Sequence, residues 1–299
     1  MKKGTGCKMK KYNNLKALFG FEAPDMKKKS VEDNQRAIIG EDTPFVIRES
    51  YKTARTNIIF SVSGMLKEGC KTIVMTSANP GEGKTTTTLN LAITFAQTGA
   101  KVLAVDCDLR KPRMHRYIGI KKNIGISSVL SKQVTLDEAI HKNVKNGLDV
   151  LASGEIPPNP AELLASESMK ALINELSERY DYIFFDTPPV TVVTDASALS
   201  TFVDGVIVVV RQNYTDHETL AMGVDLLNIA KAKILGFFIN DVQTQRGGGY
   251  RYRYGYKYSY RYGYRYDYHY TYGDLSNKKM YTGDKEKDES DETDSKSKK

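Results

Sequence analysis

The chain has 299 residues, of which 40% are hydrophobic and 27% charged, with a formal net charge of +8 and no tryptophan. That length suits one enzyme-sized domain with tails, and the charge is uneven: ten basic against four acidic residues in 1–37, six against two in 246–274 and seven against seven in 275–299 leave residues 38–245 at −2, so the body is not a basic nucleic-acid-binding domain. Cys7, Cys70 and Cys107 show no CxxC or Cys/His spacing, which speaks against a disulfide framework or zinc site; no apolar run nears the roughly 18 residues of a membrane span, and no signal-peptide stretch opens the chain.

Residues 1–37 are Lys-rich with few large aliphatics and read as a disordered basic leader. A helical pattern begins at Pro44, with Ile58, Ile59 and Val62 following a polar stretch. Lys71–Ser77 is a short apolar run, and Leu89, Ala92, Ile93 and Ala96 have helical spacing within 84–98, so a loop joins strand to helix. Strands are expected at 102–105 and 148–151, an amphipathic helix over 161–179 after the Pro157-Pro158-Asn159-Pro160 turn, and strands at 181–186, 205–210 and 234–239. Strands alternating with helices imply an α/β fold: a doubly wound, mostly parallel sheet covered by helices on both faces. The periodic pattern ends after Asp241, and Gly247-Gly248-Gly249 closes a domain spanning 38–245.

Ala78-Asn-Pro-Gly81-Glu82-Gly83-Lys84-Thr85 fits the phosphate-binding loop, with alanine at the first glycine position. Such a loop cradles phosphate on backbone N–H groups and a helix N-terminus, with Lys84 reaching the β/γ-phosphates and Thr85 offering its hydroxyl to Mg²⁺. Thr86 follows at the helix start. Two other strands end in acids, at Asp106-Cys-Asp108-Leu-Arg110 and at Asp186-Thr-Pro-Pro189. In an open α/β sheet ligands bind at the carboxyl ends of strands, where carboxylates can hold Mg²⁺ and accept a proton.

These segments, together with tyrosines at every second position from Tyr250 to Tyr272, resemble the bacterial tyrosine kinases of the soluble type found in capsular and exopolysaccharide synthesis, over about residues 43–272. The resemblance implies a P-loop NTPase-like fold and an ATP- and Mg²⁺-dependent protein-tyrosine kinase. It places Gly81, Glu82, Gly83, Lys84, Thr85 and Thr86 on nucleotide phosphate, and Thr85, Asp108 and Asp186 at the metal. Lys84, Asp106 and Asp108 are the implied catalytic residues, with Asp106 as proton acceptor. Asn240 resembles the adenine-contacting asparagine of related P-loop ATPases, a helix-capping role remaining open. The family's ExxRxxR association motif corresponds to Glu49, Lys52 and Arg55, and the lysine lacks arginine's bidentate fork. Also implied are a membrane-bound activator as a separate polypeptide, a homo-oligomer, a phosphotyrosine phosphatase, and a cytoplasmic location at the inner face of the cell membrane.

Residues 246–274 form the tail that the resemblance makes a substrate. Tyrosines stand at every second position: Tyr250, Tyr252, Tyr254, Tyr256, Tyr258, Tyr260, Tyr262, Tyr264, Tyr266, Tyr268, Tyr270 and Tyr272. An ordinary strand is several times shorter than this alternation. Each phosphate brings roughly −1.5 to −2 charge, so full phosphorylation turns a local +4 strongly negative and is expected to separate associated subunits. Two other readings stay open. One is a partitioning or cell-division ATPase, which leaves the tyrosines unexplained; the other is a nucleic-acid-binding Tyr/Arg tail, for which the six cations are few. No nucleic-acid partner is expected, and 275–299 reads as a disordered charged terminus.

Overall fold

Successive residues of each central strand enter two different cores, one on each face of the sheet. Val74, Leu103, Val105, Ile183, Phe185, Val206 and Val208 belong to one core; Ile73, Met75, Val102, Ala104, Phe184, Ile207 and Val209 belong to the other. This is why these strands read as unbroken apolar runs: both faces of the sheet are covered.

The computed structural model describes residues 31–63, 69–121 and 123–243. The chain divides into two units, Met1–Thr244 and Gln245–Lys299, and all described residues lie in the first. The Gly247–Gly249 boundary and the tyrosine tract therefore lie outside the described residues, as does most of the leader.

The described residues form a seven-stranded sheet: β1 (Lys71–Ser77), β2 (Val102–Asp106), β3 (Ile140–Lys145), β4 (Leu148–Leu151), β5 (Tyr182–Asp186), β6 (Gly205–Arg211) and β7 (Ile234–Asn240). Its order is β3-β4-β2-β5-β1-β6-β7, parallel except for β3 against β4. One face is covered by Phe45–Ser63 and Lys84–Ala96, the other by helices that include Glu167–Ser177, Asp195–Ser200 and His217–Ile229. The doubly wound sheet expected from sequence is the one observed.

Three local details differ from the sequence reading. The antiparallel edge β3 was not foreseen; its burial alternates irregularly and its register shifts between His141 and Lys145. The helix expected over 161–179 is two, Pro160–Leu164 and Glu167–Ser177, because Ser166 is extended and accepts Met169 N–H as the cap of the second. The described chain also starts with a helix, Val31–Arg36, ahead of the boundary read at residue 38. Asn90 binds the backbone just after it, accepting from Ile39 N–H and donating to Ala37 O, while Ile38 and Ile39 are buried. Among the described residues no helix is long and apolar enough to cross a membrane.

Candidate active site

The loop after β1 is shaped by two glycines. Gly81 and Gly83 have φ of 84° and 90°, a region that costs other residues energy. Gly83 caps the helix Lys84–Ala96 and offers no side chain to its first N–H groups, and no acid stands in the first turn. Lys84, only 9% exposed, sits there instead, on the end of the helix dipole that disfavours cations. An anion bound by the open N–H groups and the ammonium reconciles the two, so the loop fits a polyphosphate.

Register then brings the acids to the loop. Met75 pairs with Asp186 across β1 and β5, and Asp106 pairs with Asp186 across β5 and β2. Thr85 Oγ1 donates to Asp186 Oδ2 at 2.5 Å, and Thr88 Oγ1 is 3.4 Å from Asp186 Oδ1. Asp106 is fully buried, and its oxygens accept the N–H groups of Asp108 (3.3 Å) and Met114 (3.1 Å). Asp108 is partly exposed and accepts Lys111 N–H at 2.9 Å. Lys84, Thr85, Asp106, Asp108 and Asp186 therefore share one end of the sheet.

Burial, followed by the charges of Asp186 and Asp108, pushes the Asp106 carboxyl well above the usual carboxylate range. Burial raises Asp186 to about 7, opposed by Lys84 and by the Thr85 hydroxyl. Both carboxyls are buried beside other acids, and Lys84 offsets this only in part at Asp186, a condition that a divalent cation relieves further. The donor set of one threonine hydroxyl and hard carboxylates suits Mg²⁺. Among the described residues no group of three or more His, Cys, Asp or Glu side chains forms a metal cage.

Glu82 contributes differently from its place in the motif. Its side chain is buried and accepts Thr215 Oγ1 at 2.5 Å, leaving its backbone for a phosphate. Asn240 Nδ2 donates to Glu82 O at 2.9 Å, so the end of β7 braces the loop. Tyr214 Oη donates to Pro80 O at 2.9 Å and Thr191 Oγ1 to Ala78 O at 2.6 Å. Neither of these supports follows from sequence spacing. Nor does the bidentate pair of Arg110 with Asp195, at 3.0 and 2.9 Å across 85 positions. Thr86 stands partly exposed in the first turn of the helix.

Glu49, Lys52 and Arg55 lie apart from this cluster, on Phe45–Ser63. Lys52 pairs with Glu49 at 2.7 Å within the helix, and Arg55 Nη1 donates to Thr94 O at 2.5 Å.

A phosphate loop between strand and helix, facing aspartates on neighbouring strand ends, defines a P-loop nucleotide-binding α/β domain. A family model described as an AAA domain matches residues 70–234. The chain is 42% identical to the tyrosine-protein kinase YwqD of Bacillus subtilis over 73% of its own length and 91% of the relative's. It is 34% identical to the putative tyrosine-protein kinase CapB of Staphylococcus aureus, over 70% and 90%. The crystal structure of the chimerical protein CapA2B2 superposes with a TM-score of 0.65 at 36% identity, covering 70% of this chain and 91% of that one. The kinase domain of Escherichia coli tyrosine kinase ETK gives 0.61 at 29% identity, over 71% and 87%. The chain belongs to the bacterial tyrosine-protein kinases and is a tyrosine-protein kinase.

Proposed function

We propose that this kinase moves the γ-phosphoryl group of ATP onto tyrosine hydroxyls between Tyr250 and Tyr272, the tail of one copy entering the site of another. The contact of Thr85 with Asp186, which joins the phosphate loop to an acid-bearing strand end, carries this reading. Lys84 and the backbone of 81–86 hold the triphosphate; the resemblance supports Asn240 as the residue that meets the base, and in the fold it braces the loop through Glu82 O. Thr85, Asp108 and Asp186 would hold Mg²⁺, which when bound neutralises charge on the phosphate oxygens. The phenol oxygen forms a bond to the γ-phosphorus as the bond to the β-bridging oxygen breaks, ADP leaves, and the phenolic proton passes to a carboxylate.

The resemblance gives that proton to Asp106. Asp106 is buried with both oxygens bonded to backbone, whereas Asp108 is partly exposed. We therefore assign the first encounter with the phenol to Asp108 and keep Asp106, directly behind it on the same strand end, as the second candidate acceptor. Asp106→Asn and Asp108→Asn, compared for rate at saturating ATP across a Mg²⁺ titration, separate the two, since a loss that excess Mg²⁺ restores belongs to metal binding.

The resemblance to capsular and exopolysaccharide kinases supports a role in regulating polysaccharide synthesis and export. It also supports location at the inner membrane face through a membrane-bound activator, and removal of phosphate by a cognate phosphatase. Self-association would use Glu49 and Lys52, which are at the surface, and Arg55 once it leaves Thr94 O. Site-resolved phosphotyrosine mapping with and without the activator's cytoplasmic segment tests the proposal. Phosphate absent from 250–272 in its presence contradicts it.

A further inference from the structure

The segment that holds the two acids continues into a cationic groove, none of whose lining residues belongs to the 78–85 loop. A cavity of about 260 Å³ is lined by Arg110, Lys111, Pro112, Arg113, Arg116 and Ile156. Arg110 is committed to Asp195, but Lys111, Arg113 and Arg116 are exposed, and among the described residues no carboxylate pairs with them. Ile156, 54% exposed, offers an apolar wall. Glu155, its neighbour in the chain, does not line the cavity. Unpaired guanidinium groups beside an apolar surface suit a phosphate carried on a ring: arginine forks bind phosphate oxygens and the wall takes the ring face.

We propose that this groove binds phosphotyrosine, specifically a tail tyrosine of another copy that has already received its phosphate. The proposal rests on the tail-phosphorylation reading above. Charge supports this occupant over the unmodified tail. Residues 246–274 carry six basic and two acidic residues, so the bare tail is repelled by the groove, and the first two or three phosphates, at roughly −1.5 to −2 each, remove that repulsion. Position supports it as well. Lys111 N–H is bonded to Asp108 and Met114 N–H to Asp106, so the groove starts within a few residues of both acids. Along an extended tail neighbouring tyrosines stand about 7 Å apart, so a phosphotyrosine held here keeps unmodified ones near the acids.

The test uses dephosphorylated full-length protein without ATP, and a labelled peptide of residues 258–266 phosphorylated at Tyr260, Tyr262 and Tyr264. We expect the phosphopeptide to bind and the unphosphorylated peptide to bind at least about tenfold more weakly. Arg113→Ala with Arg116→Ala should weaken phosphopeptide binding by about tenfold or more while leaving the melting temperature and nucleotide affinity unchanged. Free phosphotyrosine should displace the peptide from the unaltered protein, which needs no variant. Equal binding of the two peptides overturns the proposal, as does unchanged affinity in the double variant. So does a peptide with glutamate at the three positions that binds as tightly as the phosphopeptide, since that marks a docking surface for acidic protein. No phosphoryl transfer is measured, so failure here leaves the kinase reading intact, and failure of tail phosphorylation leaves this binding result standing.

Discussion

Thr85 Oγ1 and Asp186 Oδ2, separated by 101 positions in the chain, meet at 2.5 Å because β5 lies directly beside β1. The hydroxyl that opens a helix and the acid that closes a strand are thereby preset at one point. Thr85→Ala removes the hydroxyl without adding bulk. Phosphotyrosine formation should then fall by roughly a hundredfold, with Asp186→Asn at least as severe. Initial rates at saturating ATP and Mg²⁺ check this, and rates within a factor of about two of the parent contradict it.

Asp186 also predicts a pH dependence. Its carboxyl is raised to about 7 in the fold, whereas an unfolded aspartate titrates near about 3.9. Between those values the folded chain holds the extra proton, so ligand-free stability should fall as pH rises from about 4 to about 7 and then level off. Asp106, raised by burial and by neighbouring acids, acts in the same direction. Melting temperatures across this range should show a shallower fall for Asp186→Asn; parallel profiles for variant and parent would exclude Asp186 as the source.

Gly83 is constrained twice. Its φ is 90°, and a Cβ there would lie 2.1 Å from Asn240 Nδ2, which is engaged with Glu82 O. Gly83→Ala should cost about 1–3 kcal/mol in urea unfolding and weaken nucleotide binding. Adding Asn240→Gly should recover the part due to collision but not the part due to φ. Full recovery would show that backbone strain contributes nothing.

The Arg110–Asp195 pair predicts a stability effect separate from chemistry. Asp195 is wholly buried while Arg110 is 38% exposed by side chain. Arg110→Ala leaves a buried carboxylate without its bidentate partner, at a cost of about 2–3 kcal/mol, below that of a fully buried pair because water reaches the site. Combined with Asp195→Asn it should cost less than the sum of the two single changes. Strict additivity in urea unfolding would mean the two side chains are uncoupled.

The features legible in sequence were those with strong periodicity or fixed chemistry. Val102–Asp106 and Gly205–Arg211 are continuous apolar runs because parallel strands are buried on both faces. The loop at 78–85 and the acids at 106, 108 and 186 were visible as motif and strand ends, and the structure brings them together. Ile140–Lys145 was hidden because an irregular edge strand has no clean alternation, and helices of four to six residues such as Leu136–Ala139 are too short to show a period. Ser166 interrupts a helix that hydrophobic spacing alone carries straight through. The bond of Thr215 with Glu82, and that of Arg55 with Thr94 O, join residues 133 and 39 positions apart through tertiary packing, for which spacing gives no signal.

The central claim, transfer from the site of one copy to the tail of another, is tested most directly by mixing two defective proteins with ATP, Mg²⁺ and the activator's cytoplasmic segment. One is Lys84→Met, which keeps the tail without a working loop; the other is active protein ending at Gln245. Intact-mass spectra should show several phosphates on the Lys84→Met chain in the mixture and none on that chain alone. A Lys84→Met chain that stays unmodified in the mixture, while the unaltered protein gains phosphates under the same conditions, would contradict transfer between copies.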